Sequence, residues 1–88
     1  MKPLNYAILK HFTKVEHACA EDVIVALKGQ YGHFKAFNKN DVITALMTAE
    51  ANGLIGEKSF DMDASDNLRM YYHANEESVA TINKYIED

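Results

Sequence analysis

The stretch Asn38–Ile55, NKNDVITALMTAEANGLI, constrains the chain most, because it encodes a helix, both helix ends and the entry to an extended segment. Asn38 is a good N-cap, and Asp41, three residues on, is placed to return a bond to it in the manner of a capping box. Val42, Ala45, Leu46 and Ala49 recur at helical spacing and give one narrow apolar stripe. Gly53 supplies the left-handed position after the helix, and Leu54-Ile55 then start an extended run. A helix that stops at a glycine and turns at once into a strand must pack on other elements through that one stripe.

The flanking chain supplies them. Pro3 suits a first helical turn, and Leu4, Ala7, Ile8, Phe12 and Val15 predict a helix stripe with His11 inside it. Tyr6, Leu9 and Thr13 lie on the opposite face, so this helix is apolar on two sides. It is expected to be sandwiched by the C-terminal helix or by a second subunit. His17-Ala18-Cys19 predicts a short strand. A second helix starts after Cys19, a position where Ser or Thr would cap better, with Glu21 and Asp22 in its first turn. Val23, Ile24, Leu27 and Tyr31 form its inner face, and Gly29 and Gly32 bracket its end. The linker from Gly32 to Phe37 is longer than a tight helix–turn–helix turn, with Phe34 and Phe37 expected to plug the core. Leu54 to Met62 and Leu68 to Ala74 predict two strands joined by the acidic turn DASDN. In the second, Leu68, Met70, Tyr72 and Ala74 alternate with Arg69, Tyr71 and His73. Asn75 caps a last helix whose stripe is Val79, Ile82 and Ile86.

Composition sets outer limits. A chain of 88 residues predicts one domain over 1–88, a size that buries about 60–65% of its unfolded surface. No apolar run approaches the ~18 residues of a membrane span, and the first residues do not form a signal peptide. One cysteine excludes an internal disulfide and fits a reducing cytoplasm. Charge is divided unevenly. Residues 1–40 carry six Lys against Glu16, Glu21 and Asp22, or +3, while residues 41–88 carry Lys58, Arg69 and Lys84 against ten acids, or −7. The resulting net charge of −4 lacks the general basic footprint of a promiscuous nucleic-acid binder.

The segments AEDVIVALK, NKNDVITALMTAEANGLI and MYYHANEE together make Ala20 to Glu77 resemble the winged-helix superfamily, closest in flavour to small PadR-like regulators. The resemblance implies an α+β fold of three core helices, a β-hairpin wing and an additional C-terminal helix. It further implies double-stranded DNA as partner, with the third helix in the major groove and the wing on the backbone or minor groove. Carried over residue by residue, Lys35, Lys39, Asn40, Thr44 and Thr48 would serve the docking of that helix. Lys58 and Arg69 would serve the wing. The sequence departs from this pattern in two ways. No Lys or Arg lies between Asn40 and Glu57, which removes the Arg–guanine contact, and Asp61, Asp63 and Asp66 crowd the wing tip.

A protein-interaction role is the alternative. Ile43 and Met47 stand apolar on the outward face of the third helix, where they would form a contact strip or scattered surface apolars. Homodimerisation is compatible with either role, through the C-terminal helix (78–87) and the second face of the first, with Tyr6, Leu9 and Tyr85 as contacts. Other chemistries find little footing. His17 and Cys19 with His11, His33 or His73 lack the tight ligand pairs of a zinc site. The run from Asp61 has Asp66 and Tyr72 where a calcium loop needs Gly and Glu. Cys19 has no assignable activating partner, and the Gly29–Gly32 pair is no phosphate loop. The expectation is a protein without enzyme activity, metal or cofactor.

Overall fold

A computed structural model describes residues 2–87. The order is α1 (Leu4–His11), α2 (Ala20–Tyr31), α3 (Lys39–Ala51), β1 (Gly56–Met62), β2 (Leu68–His73) and α4 (Glu76–Tyr85). The fold is α+β, with four helices and a two-stranded antiparallel hairpin, a layout compatible with a winged helix. Ile8 and Phe12 from the α1 end, Val23 from α2, and Val42 and Leu46 from α3 meet Ile55 and Tyr72 in one core. The apolar stripe expected of α3 is therefore the one it buries.

Helix ends account for most boundaries. The Asn38 side chain accepts the Asp41 amide at 2.9 Å, as a cap should. Asp41 answers differently from expectation: its carboxylate takes the Asn38 side-chain amide at 2.8 Å, not the cap backbone. The reciprocal box forms instead at α2, where the Cys19 amide donates to Asp22 at 3.1 Å and the thiol side chain caps the turn. At the far end of α3, Gly53 takes φ +77°. Its amide bonds Glu50 O and the Leu54 amide bonds Ala49 O, each at 3.0 Å, the paired bonds of a Schellman motif. Because Leu54 gives its amide to the helix, β1 begins at Gly56 rather than at Leu54. Ile55 is still buried.

Four sequence expectations shift in detail. Pro3 is the N-cap of α1 rather than its first helical residue. The helix stops at His11, where tight turns at Phe12, Thr13 and Lys14 replace regular helix bonds and the Thr13 hydroxyl bonds Lys10 O. Phe12 stays in the core, but Val15 falls off the stripe to the surface. The expected strand at 17–19 shrinks to one bridge, in which Ala18 and Tyr72 exchange both backbone bonds at 2.9 and 3.0 Å. In the linker, Phe37 packs on the core as expected, while Phe34 lies edge-on to the buried Tyr31. The Tyr31 hydroxyl donates to Lys2 O and fastens the N-terminal segment to α2.

α1 packs on α4 of the same chain, while Tyr6 of its second apolar face stays half exposed. At this junction Lys10 is 7% exposed and donates to Asn83 Oδ1 at 2.6 Å and to Ile86 O at 2.9 Å. It ties α1 to the last turn of α4, whose carbonyls have no helical partner. At the other end of α4, Asn75 caps through the Ser78 amide at 2.8 Å, and the Ser78 hydroxyl reaches Gly53 O at 3.4 Å. No described helix is long and apolar enough to cross a membrane.

Candidate interface on the third helix and hairpin

The hairpin register decides which side chains share a face. Glu57 pairs with Tyr72 and Ser59 with Tyr71, which leaves Lys58 unopposed in a bulge. Beyond it Phe60 pairs with Met70, Asp61 with Arg69 and Met62 with Leu68. One face thus carries Phe60, Met62, Leu68, Met70 and Tyr72, and the other Asp61, Arg69, Ser59 and Tyr71. The alternation expected for β2 is present, but only Tyr72 is buried, and Leu68 stands at the exposed tip.

Asn40, Ile43, Thr44, Met47, Thr48 and Ala51 all face outward on α3, yet they do not form one surface. Thr44 and Thr48 line a groove of about 350 Å³ toward α1, shared with Asn5, Leu9 and Asn52. Each hydroxyl donates back into its own helix, Thr44 to Asn40 O at 3.1 Å and Thr48 to Thr44 O at 2.9 Å. Ile43 and Met47 line a second groove of about 260 Å³ toward the hairpin, against Leu68, Met70 and Tyr72. Exposed fractions of 36% for Ile43, 56% for Met47, 67% for Phe60, 52% for Met62 and 61% for Leu68 mark the apolar side chains of this second surface. Phe60 and Met62 extend it across the hairpin through their partners Met70 and Leu68.

Two of the four cations expected to meet phosphate are engaged within the chain. Arg69 grips Asp61 with two bonds of 2.8 and 3.0 Å and lies 5.9 Å over the Tyr71 ring, whose hydroxyl reaches the same carboxylate at 3.3 Å. That grip holds the Asp61 carboxyl below the usual carboxylate range and pushes the guanidinium further up. Lys39 lies 3.5 Å from Glu21. Lys35 and Lys58 remain exposed, on the linker and in the bulge. Glu50 and Glu57 edge the apolar groove, and burial followed by their field raises the Tyr72 phenol.

The acidic tip is a hydrogen-bonded turn. Asp63 accepts the amides of Ser65 at 2.8 Å and Asn67 at 2.9 Å, and Asp66 sits at φ 61°. These two amides hold the Asp63 carboxyl below its usual range. A folded pKa that is depressed contributes order above the unfolded value and loses it as pH falls through the folded one. The Ser65 and Asn67 amide resonances are accordingly expected to move together on acidification, with a midpoint below the ordinary Asp value, and to lose that transition in Asp63→Ala.

The histidines and the cysteine are dispersed. His17 lies edge-on to Tyr71, His33 to Phe34 and His11 to Phe12, and desolvation lowers His11. Cys19 is buried as the α2 cap, and burial pushes its thiol up. No three His, Cys, Asp or Glu side chains converge as metal ligands among the described residues. On the opposite side, Tyr6, Leu9 and Tyr85 meet around a cleft of about 180 Å³ between α1 and α4, above Ile82 and Ile86. Tyr6 and Tyr85 remain exposed there.

Phe60, Met62 and Leu68 escape the sequence reading as interface residues, although 60 and 62 alternate with polar neighbours and carry the signal. Lys10 escapes it too, since nothing in a lysine between two apolar stripes announces burial. No family model, curated protein or solved structure matches the chain.

Proposed function

We propose that the chain is a winged-helix protein-interaction module, PadR-like in its architecture, that docks a partner protein on the face shared by α3 and the hairpin. The observation that carries this reading is the run of exposed apolar side chains from Met47 across Leu68 to Phe60 and Met62, a concentration that isolated surface apolars do not produce. Two further features support it. Arg69 and Lys39 are neutralised by Asp61 and Glu21, and the Thr44 and Thr48 protons are used inside the helix. A duplex reader would have to break these contacts before making its own.

The second reading is a DNA-binding transcriptional regulator. It is favoured by the open edge of α3, where Asn40, Thr44 and Thr48 are exposed between Lys35 at the helix entry and Lys58 in the bulge. A homodimer through Tyr6, Leu9 and Tyr85 is compatible with both readings, as is a cytoplasmic location for a chain whose one thiol is free and buried.

Anisotropy of a labelled mixed-sequence duplex, titrated from low to physiological salt, separates the two. The interaction reading expects no saturable binding even at low salt. Saturable binding that weakens with salt, and whose salt slope becomes shallower in the double variant Lys39→Ala/Arg69→Ala, would move the assignment to the DNA reading.

A further inference from the structure

Resting on the interaction reading, we infer that the groove between α3 and the hairpin takes an amphipathic helix whose apolar stripe is flanked by Lys or Arg. Area marks the face as a protein contact. The exposed apolar side chains of Ile43, Met47, Phe60, Met62 and Leu68 amount to on the order of 500 Å², at the upper end of what a monomeric domain leaves uncovered. A standard interface of about 800 Å² per side is only a little over half apolar, so area alone admits a segment or a second copy, and charge decides between them.

Shape points to a helix. Ile43 and Met47 lie one turn apart and form a ridge along the rim of the groove, the geometry by which one helix receives another. Met47, Met62 and Met70 line the same surface, and unbranched thioether side chains adapt to an incoming apolar stripe. Recognition by apolar anchors at i, i+3 or i+4, and i+7 follows from such a groove.

Charge selects the flanks. The two cations beside the groove are already held, Lys39 by Glu21 and Arg69 by Asp61. Glu50 and Glu57 at its edge meet no cation among the described residues. They leave a local negative field over an apolar floor, which favours a positively flanked partner and repels a negative one.

The test uses two labelled helical peptides of about 16 residues with the same Leu/Phe stripe, one flanked by Lys and the other by Glu, a length that spans about four helical turns. The Lys peptide is expected to bind the full chain about tenfold or more tightly at low salt, with the preference shrinking as salt rises. Glu50→Lys/Glu57→Lys should reverse the preference, and Met47→Gln should weaken binding of the Lys peptide. Equal affinities that both fall in Met47→Gln would overturn the inferred charge and leave the docking reading intact. Binding of neither peptide, or binding unaffected by Met47→Gln, overturns the inference. A dimer mass by light scattering that Met47→Gln converts to monomer overturns it in favour of a second copy. Salt-sensitive duplex binding, measured separately, is the result that removes the interaction reading beneath it.

Discussion

Lys10→Met is expected to lower the stability of the folded chain by about 2–3 kcal/mol, and the midpoint of thermal unfolding by roughly 10–20 °C. Methionine keeps the length and the apolar stem of lysine, so no large cavity opens and the packing of α1 on α4 is nearly conserved. What disappears is the ammonium that donates to Asn83 and to the Ile86 carbonyl across more than seventy residues of sequence. Both acceptors lie at the end of α4, where the helix has no donors of its own to offer. Hydrogen bonds from a charged donor are worth about 1.5–3 kcal/mol, and an acceptor left buried without a partner adds to the loss. Urea unfolding followed by circular dichroism measures it. A change below about 0.5 kcal/mol, the scale of an ordinary surface substitution, would show that Lys10 is not what ties the two helices.

Met47→Lys is expected to weaken docking of a positively flanked helix by roughly ten- to a hundredfold while leaving stability within about 0.5 kcal/mol. Met47 is more than half exposed, so the core does not depend on it, and lysine is nearly as good a helix former as methionine. The substitution replaces an apolar anchor at the centre of the face with a charge that repels the inferred flanks. Its value lies in the sign. On a phosphate-contacting α3, which has no cation between Asn40 and Glu57, the same lysine would add a contact and raise duplex affinity. One variant therefore moves the two readings in opposite directions, and isothermal titration against the peptide and the duplex records which way each goes.

Much of the architecture was legible because local chemistry and tertiary packing agree. Asn38, Gly53 and Asn75 mark helix ends through bonds that involve only neighbouring residues, so the sequence displays them directly. The stripes of α2 and α3 likewise point where burial occurs. Boundaries moved where one backbone group had two possible uses. Leu54 could enter the strand or close the helix, and the Schellman bond took its amide. Val15 continued a helical period, but the tight turns after His11 had already ended the helix.

The candidate interface was only half legible, for a different reason. Ile43 and Met47 are apolar at outward positions of one helix, which periodicity alone reveals. Joining them to Phe60, Met62 and Leu68 needs the hairpin register, and that depends on the bulge at Lys58. One residue without the bulge would put Phe60 on the opposite face. The cations show the same limit. Arg69 and Asp61 are eight positions apart and read as a wing cation and a tip acid, yet cross-strand pairing makes them one ion pair. Charge counting cannot see a partner that only folding supplies.

The most direct measurement is a methyl and amide NMR titration of the full chain, with the methionine methyls as reporters of the α3–hairpin face. The Lys-flanked peptide is expected to move the Met47, Met62 and Met70 methyl signals along one saturable curve. A mixed-sequence duplex at low salt is expected to leave those signals, and the amides of Asn40, Thr44 and Thr48, where they are. Peptide-insensitive methyls together with duplex-dependent shifts at Asn40, Thr44 and Thr48 would contradict the account and return α3 to the major groove.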